Sequence, residues 1–400
     1  MSRKSWVDLW APAPEPPTKL GYYRLLSPSA SVRVSPLCLG AMNIGTAWGD
    51  FLGPVTQEDA FKLLDYFYES GGNFIDTANN YQDEQSEQWI GDWMKKRQNR
   101  AEMVIATKFT SPYKSYKRDQ TIQTNYVGNS RKHLIVSLED SLRKLQTDYI
   151  DVLYVHWWDF TMSVEEMMRS LNYLVQSGKV LYLGVSDTPA WVVSKANQYA
   201  RDHGLAPFVV YQGKWSVVDR DFEREIIPMC RDENMGIAPW GALGSGYLKT
   251  EAQLKEMEAK NEKGRQVFGG ITQKHRDLTA ILEKIGNKYG VGVTGVALSY
   301  VMHKAPYVYP IVGGRKIEHL KGNIEALEKV RLTEEDIKTI EDASPIDLGF
   351  PHNMLGGNGG HPSGNPLLGN ASRHEFQAYP TSIDAVKSER AGTVGKATQA

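Results

Sequence analysis

The chain has 400 residues, of which 41% are hydrophobic and 23% are charged, and its formal net charge is −1 at pH 7. This balance is typical of an ordinary soluble globular protein and provides no basic field for nucleic acid or an anionic membrane. No apolar run approaches the roughly 18 residues of a membrane span, and the start at Met1–Trp6 lacks the apolar stretch of a signal peptide. We therefore expect a cytoplasmic protein with no membrane or nucleic-acid partner.

The chain divides into three regions by composition. Residues 1–22 are predicted to form a proline-rich lead-in, and residues 23–349 a single α/β domain in which short apolar runs alternate with helical patterns. Residues 350–400 contain the glycine-rich run Gly356–Gly360 without sustained periodicity, and we interpret them as a C-terminal tail. The eight strand candidates are Leu37–Gly40, Asn73–Asp76, Met103–Thr107, Ile150–Val155, Val180–Val185, Phe208–Tyr211, Gly236–Pro239 and Val308–Val312.

Helix signals separate these strand candidates. Thr56 and Ser163 each precede an acidic first turn and an apolar stripe, which predicts N-caps at both. Thr188 followed by Pro189 predicts an N-cap and a proline at the first helical position. Thr333 opens a predicted final helix after the eighth strand.

Eight strand–helix alternations predict a (β/α)8 TIM barrel with an extra C-terminal helix and extended loops. A doubly wound open sheet is the alternative, but the eightfold count and the absence of GxGxxG after the first strand argue against it. The longest interval, residues 248–307, begins with the charged segment Lys249–Arg265, which predicts a loop or lid over the mouth of the barrel.

The two cysteines of the chain stand in different settings. Cys38 lies in an apolar run and Cys230 in a predicted helix. This favours separate buried thiols over a disulfide, as is typical of a reducing compartment.

Four polar residues, Asp76, Tyr81, Lys108 and His156, stand at or just after the ends of the second, third and fourth strand candidates. Side chains at the carboxyl ends of barrel strands share one mouth, so we expect these four to converge. Lys108 would lower the pKa of Tyr81, Asp76 would hold Lys108, and His156 would donate to a carbonyl oxygen. Taken singly, each has a structural interpretation (rim tyrosine, solvated lysine, core histidine, helix cap), but their joint occurrence favours a catalytic site.

A second polar cluster follows the eighth strand candidate. Gly313 and Gly314 allow a close approach of the backbone, and Arg315 and Lys316 supply a planar fork and a point charge suited to a phosphate monoester. No side chain supplies a hydride, so the two clusters together predict a cofactor, NADP(H) rather than NAD(H). The alternative is a glycine turn with solvated charges. No zinc or P-loop motif is present, so no metal site is predicted.

The segment Gly71–Tyr81 resembles the glycine-to-tyrosine signature of the aldo-keto reductase superfamily, and the resemblance covers roughly residues 20–345. The four polar residues match the catalytic tetrad of that family one by one. The resemblance implies a (β/α)8 barrel with an extended NADP(H). The cofactor positions that it implies, together with the phosphate cluster, are Ser186, Asp187, Gln212, Trp240, Gly241, Leu243, Gly246, Gly313, Arg315, Lys316, His319 and Asn323.

Asp187 departs from the family pattern, which usually has asparagine there, and His319 replaces a more usual glutamine or arginine. An ionised aspartate accepts hydrogen bonds but cannot donate one to the carboxamide oxygen of the cofactor. Its charge predicts a preference for cationic NADP⁺ over NADPH.

Within the superfamily, Trp10–Leu20, Val180–Trp191 and Pro310–Lys316 look closest to fungal NADP-dependent aryl-alcohol dehydrogenases, and norsolorinic acid reductases share much of this pattern. The resemblance implies reversible interconversion of aromatic aldehydes and benzylic alcohols. A pocket for a flat ring would use aromatic walls. The candidates are Trp48, Tyr113, Trp157 and Trp158.

Two other functions remain open beside this one. A secondary-metabolite ketoreductase of norsolorinic acid reductase type would share the site, and a non-catalytic NADP(H)-binding module like the β subunits of potassium channels would share the fold. A barrel hydrolase or isomerase would need a metal cluster or paired carboxylates at the rim, and the sequence contains neither pattern. The physiological substrate, the preferred direction and the oligomeric state are not predicted.

Overall fold

We describe a computed structural model that covers residues 12–259, 270–355 and 361–377, apart from the side chain of Phe51. The start of the predicted lead-in, residues 260–265 of the predicted lid and most of the predicted tail lie outside the described residues.

Eight parallel strands form the barrel, in the spatial order β10-β3-β4-β5-β6-β7-β8-β9, preceded by the antiparallel pair β1 and β2. Their bounds are β1 Arg24–Ser27, β2 Ala30–Val34, β3 Cys38–Gly40, β4 Phe74–Asp76, β5 Val104–Phe109, β6 Ile150–Val155, β7 Val180–Ser186, β8 Phe208–Lys214, β9 Gly236–Trp240 and β10 Ile311–Gly313. The predicted (β/α)8 fold is confirmed.

The barrel closes between β9 and the residues just before β10. Ile237 forms a parallel bridge with Val308, and its backbone is bonded to Tyr307 and Tyr309 on either side. Only Ile311–Gly313 pair with β3, so the eighth strand begins later than the predicted Val308. Residues 307–309 bond to β9, whereas residues 311–313 pair with β3. A local pattern of apolar residues does not show which strand each residue pairs with.

Helices cover the outside of the barrel. Their bounds are α1 Gly49–Leu52, α2 Gln57–Glu69, α3 Gln85–Arg97, α4 Arg131–Leu145, α5 Val164–Gln176, α6 Ala190–His203, α7 Phe222–Asp232, α8 Glu251–Ala259, α9 Gln273–Tyr289, α10 Val293–Lys304, α11 Ile317–Lys329, α12 Glu334–Ala343, α13 His352–Leu355 and α14 Pro366–Ala371. The predicted caps Thr56, Ser163 and Thr333 each accept from a backbone N–H in the first helical turn.

Three helix predictions need correction. Thr188 does not cap α6, because its hydroxyl donates back to Ser186 O at 2.8 Å and the helix begins after Pro189. The described part of the predicted lid contains a helix, Glu251–Ala259, rather than loop alone. The helix opened by Thr333 is not the last, since α13 and α14 follow it.

The N-terminal end of the barrel is closed by the β1–β2 hairpin, which the sequence analysis missed. Leu26, Ala30 and Val34 belong to the same buried cluster as the inward-facing residues of the barrel strands. Ser29 Oγ donates to Asn234 O just before β9, and Tyr309 OH is bonded to Leu25 O. Apolar residues flank the two-residue turn Pro28-Ser29, but proline does not match the favoured turns of this length, so the sequence carries no strong hairpin signal here.

Part of the predicted lead-in packs against the barrel domain. Leu20 is fully buried in a short 3-10 turn, Lys19–Gly21, and Thr18 donates to Ser70 O at 2.7 Å. Cys38 and Cys230 are both buried and unpaired, so the prediction of separate thiols is confirmed. Across the ranges that the structure describes, no helix combines the length and the apolar character that crossing a bilayer requires.

Candidate active site

The ends of β4 and β5 bring Asp76 and Lys108 together at the C-terminal mouth of the barrel. Lys108 Nζ lies 2.6 Å from Asp76 Oδ2 and 2.6 Å from Thr77 O, and both side chains of the ion pair are almost completely buried. The same ammonium lies 3.4 Å from the hydroxyl of Tyr81, just beyond β4. A buried ammonium therefore lies between a carboxylate and a phenol, in the arrangement that the sequence predicted.

Burial and the neighbouring charges together set the pKa values of Lys108 and Tyr81. Burial opposes the charged form of Lys108, but Asp76 and Tyr81 together outweigh it and raise the lysine pKa. Burial also raises the pKa of Tyr81, and the opposing effect of Lys108 is too small to reverse this. Lys108 does lower the pKa of Tyr81, as expected, but desolvation of the phenolate exceeds its attraction to the ammonium, so the net pKa shift in the free protein is upward. Tyr81 holds its proton at neutral pH.

His156, just after β6, completes the set. Its ring centroid lies 6.0 Å from that of Tyr81, edge to face, and burial and then Lys108 lower the histidine pKa well below the usual range. Ser111 Oγ lies 3.1 Å from His156 Nδ1 and accepts a 3.2 Å bond from Trp157 Nε1. We assign the Ser111 proton to the bond with Nδ1, which leaves the imidazole proton on Nε2.

The second oxygen of Asp76 is held from across the barrel. Gln212 Nε2, on β8, donates to Asp76 Oδ1 at 2.8 Å. Its register partner on β7, Ser186, has a buried hydroxyl that finds no hydrogen-bond partner in the part of the chain that the structure describes. A buried hydroxyl of this kind at the mouth is suited to form a hydrogen bond with a polar group of a ligand. This fits the predicted contact with a nicotinamide carboxamide.

Asp187 follows Ser186 in a left-handed backbone conformation, with φ of 39°. Trp240 Nε1, at the end of β9, lies 3.2 Å from Asp187 Oδ1 and 3.3 Å from Oδ2. Asp187 as a residue is exposed, but protein atoms surround its carboxylate closely enough to desolvate it in part. This enclosure raises the pKa of Asp187 to about 6, although the bond from Trp240 and the charge of Lys108 oppose the rise.

The segment after β9 has an unusual backbone. Gly241 has φ of 70°, and Gly244, Ser245 and Gly246 follow one another at 73°, 54° and 89°. The glycines adopt this region without strain, and successive turns of this kind direct N–H groups into a concave surface that suits anions. Leu243 lies half-buried in the same segment. The segment fits a pyrophosphate.

The predicted phosphate cluster lies between β10 and α11. Gly313, Gly314, Lys316 and Asn323 line a small cavity, and within the described ranges no side-chain cap bonds the first turn of α11. Free N–H groups at such a helix start favour a phosphate. Burial, Lys249 and Lys316 lower the pKa of His319, which therefore stays neutral at pH 7.

Arg315 extends from this cluster to the loop after β3. A Cβ atom placed on Gly53 would lie 1.7 Å from Arg315 Nη1, so the guanidinium packs directly on that glycine. The cluster therefore has two cationic side chains beside the start of α11, which fits the additional phosphate of NADP(H).

The four predicted aromatic walls fall in different places. Trp48 contacts Tyr81 edge to face at 6.2 Å, and Trp157 lies half-buried beside Ser111. Trp158 belongs to the buried core. Tyr113 is buried, stacks on His133 and donates to Asp140 on α4 at 2.8 Å. The contacts therefore support Trp48 and Trp157 as walls, whereas Trp158 packs in the core and against Phe160, and Tyr113 packs against α4 and Tyr126.

The fold is an eight-stranded barrel with buried ionisable groups at its C-terminal mouth and a cationic cluster after the last strand. A model of the Aldo/keto reductase family matches residues 36–345. The chain is 58% identical over 336 residues to norsolorinic acid reductase B of Dothistroma septosporum (84% of this chain and 85% of that protein). It is 57% identical over 343 residues to norsolorinic acid reductase A of Aspergillus parasiticus (86% of each). It is 51% identical over 358 residues to aryl-alcohol dehydrogenase [NADP(+)] of Phanerodontia chrysosporium (88% of this chain and 93% of that protein).

The chain therefore belongs to the aldo/keto reductase family and is an oxidoreductase enzyme. The predicted family is confirmed. Ser111, Thr77 and the contact of Gln212 with Asp76 were not predicted. Ser111 could have been noticed, since it stands shortly after a strand end, as the four predicted residues do.

Proposed function

We propose that this enzyme interconverts aromatic aldehydes and benzylic alcohols with NADP(H), and that Tyr81 acts as its general acid and base. The observation that carries the proposal is the buried ammonium of Lys108, bonded to Asp76 at 2.6 Å and 3.4 Å from the Tyr81 hydroxyl. A fixed positive charge beside a phenol stabilises the phenolate that forms when the phenol gives up its proton.

The protein groups divide the proton chemistry between them. When bound, the nicotinamide cofactor supplies or accepts the hydride. Tyr81 donates its proton to the carbonyl oxygen in reduction and takes it back in oxidation. Lys108 stabilises the phenolate, and Asp76 keeps Lys108 charged and in place. His156 is neutral and, with its proton on Nε2, donates a hydrogen bond to the same carbonyl oxygen.

The cofactor would be held along the rim. Ser186, Asp187 and Gln212 suit the nicotinamide end, the segment from Gly241 to Gly246 suits the pyrophosphate, and Arg315 with Lys316 suits the additional phosphate. Two observations on the described residues support this arrangement: the Ser186 hydroxyl has no hydrogen-bond partner among them, and no side chain among them caps the start of α11. Selection of NADP(H) over NAD(H) then depends on Arg315 and Lys316.

The substrate class is supported by the relative named aryl-alcohol dehydrogenase [NADP(+)] and by the aromatic side chains Trp48 and Trp157 at the mouth. A second candidate, a ketoreductase of secondary metabolism, is favoured by the 58% identity to a norsolorinic acid reductase. Both candidates use the same proton chemistry and differ in the size of the carbonyl compound.

The test is the loss of absorbance at about 340 nm from NADPH with benzaldehyde, veratraldehyde and a polycyclic aromatic ketone. Rapid loss with the benzaldehydes and little with NADH supports the aryl-alcohol activity. Turnover of the polycyclic ketone alone favours the second candidate. Tight NADPH binding with no turnover of any carbonyl compound would contradict both.

A further inference from the structure

The turn after Tyr81 is strained at three consecutive residues. Gln82, Asp83 and Glu84 have φ of 54°, 50° and 80°, in the left-handed region that residues other than glycine rarely adopt. Each such residue costs on the order of 1 kcal/mol or more and persists only where its surroundings impose it. Strained backbone of this kind next to a reactive side chain points to a positional role.

Two of the three residues have partners that tie the turn down. Trp48 N donates to Gln82 Oε1 at 2.8 Å, and Gln82 Nε2 donates to Met42 O at 2.9 Å. Glu84 forms an ion pair with Lys114 at 3.4 Å. One end of the turn is thus attached to the loop after β3, and the other end to the loop after β5.

The middle residue, Asp83, points its carboxylate at the indole of Trp48. Trp48 Nε1 donates to Asp83 Oδ1 at 3.0 Å. The Trp48 ring contacts Tyr81 edge to face at 6.2 Å, and Tyr81 contacts His156 in the same manner at 6.0 Å. A ring that forms one wall of the mouth is therefore fixed at its backbone N–H by Gln82 and at its indole N–H by Asp83.

We propose that Asp83 is a positioning residue that holds Trp48 as a wall for flat substrates and thereby determines the preference for aromatic over aliphatic aldehydes. This inference rests on the proposed function. A carboxylate accepts a stronger hydrogen bond from an indole N–H than a neutral acceptor does. Such a bond holds the Trp48 ring in one orientation. Among the described residues, no hydrogen bond or ion pair joins Asp83 to a tetrad side chain, so it acts on substrate binding through Trp48 rather than on the proton transfer at Tyr81.

The first test separates KM from kcat with benzaldehyde and hexanal as matched substrates. Asp83→Ala should raise KM for benzaldehyde about tenfold, which corresponds to the loss of about 1.4 kcal/mol from one ordered contact. Its kcat should change by less than about twofold, and KM for hexanal should change equally little, since a flexible chain gains less from a fixed ring face. Asp83→Asn keeps an oxygen acceptor and tolerates the left-handed backbone, so it should retain most of the preference.

Two further variants separate the hydrogen bond from backbone strain and from charge. Asp83→Gly removes the carboxylate while relaxing the backbone, and it should behave like Asp83→Ala. Asp50→Ala removes an exposed carboxylate two residues after Trp48 and should leave both KM values unchanged. The same loss of preference in Asp50→Ala would overturn the inference, because it would then reflect charge alone. An equal rise in KM for benzaldehyde and hexanal in Asp83→Ala would also overturn the inference.

A readout independent of the substrate distinguishes this inference from the proposed function. In ¹⁵N-labelled protein, the indole N–H resonance of Trp48, assigned by its absence in Trp48→Phe, should shift upfield in Asp83→Ala and remain near its place in Asp83→Asn. An unshifted resonance would overturn the positional role even in an active enzyme. If the parent enzyme reduces neither aldehyde, the proposed function fails and the substrate preference fails with it, whereas the resonance still decides whether Asp83 holds Trp48.

Discussion

The two ends of the barrel are built from the same strands and have opposite properties. At the N-terminal end, Leu26, Ala30 and Val34 of the hairpin close the interior with buried apolar side chains. At the C-terminal mouth, the residues after the strands include left-handed non-glycine positions such as Asp187 and the turn after Tyr81. Similar backbone elsewhere, as at Gln98 and Gln146, is an ordinary way to end a helix.

The N-terminal end of the barrel contributes to the stability of the fold, and the C-terminal mouth contains the groups suited to chemistry. Apolar burial at the closed end stabilises the fold. The mouth contains a desolvated ion pair, a hydroxyl with no partner in the described part of the chain, and strained turns, each of which opposes folding. Such features persist where function requires them and the rest of the molecule offsets their cost. Substitutions at the mouth should therefore change activity with little effect on folding, and those at the closed end should do the reverse.

The largest effect is expected at the mouth, from Tyr81→Phe. This change removes the proton that the phenol transfers, so turnover should fall roughly 100- to 10,000-fold while the dissociation constant for NADPH stays within about twofold. Stopped-flow or steady-state rates and quenching of protein fluorescence measure the two quantities. Tyr173→Phe, on the exposed face of α5, is the matched control. Retained turnover in Tyr81→Phe would remove Tyr81 from the mechanism.

The opposite pattern is expected at the closed end, from Leu26→Ala. Leu26 is fully buried in the barrel interior, so the truncation should lower the free energy of unfolding by about 2–5 kcal/mol. Urea denaturation measures this loss, and kcat at 25 °C should stay within about twofold because no group of the mouth is touched. Leu25→Ala, a more exposed neighbour, should cost much less. A large fall in kcat of folded Leu26→Ala would show that the two ends are coupled.

An intermediate effect is expected at the phosphate end of the mouth. Arg315→Ala should weaken NADPH binding about 10- to 100-fold, the loss of one or two charge-assisted hydrogen bonds, and should change NADH binding by less than about threefold. Fluorescence titration with each cofactor measures the ratio. Lys329→Ala removes a positive charge from the far end of α11 and serves as the control. Equal weakening of both cofactors would contradict a phosphate role for Arg315.

The smallest effect is expected from Asp187, and it depends on pH. The enclosed carboxylate has a pKa near 6, so it is ionised above that value and protonated below it. At pH 7.5 its negative charge should make NADP⁺ bind a few-fold more tightly than NADPH. This ratio corresponds to on the order of 1 kcal/mol or less, as expected for a charge pair in contact with solvent. This bias should fade as the pH falls toward 5. Asp187→Asn should show the reduced bias at every pH, and parallel pH profiles for the two proteins would contradict the role of Asp187.

Much of the architecture was predictable because it depends on local patterns. Short apolar runs separated by capped helices repeat eight times, and that periodicity predicted the barrel. Residues placed just after strand ends share one mouth in such a barrel, so Asp76, Tyr81, Lys108 and His156 could be brought together before any distance was known. The caps at Thr56, Ser163 and Thr333 needed only the residues within one helical turn.

Other features depend on residues far apart in the chain. The bond of Gln212 to Asp76 spans 136 positions and the bond of Trp48 to Asp83 spans 35, and no local pattern specifies either contact. The direction of the Tyr81 pKa shift depends on how completely the fold removes water from the phenol, which outweighs the charge of Lys108. The sequence by itself determined the order of the strands and which polar groups meet at the mouth. Only the tertiary structure decided how those groups are desolvated, which partners orient them and which end of the barrel is closed, because burial and long-range contacts arise only when distant segments pack together.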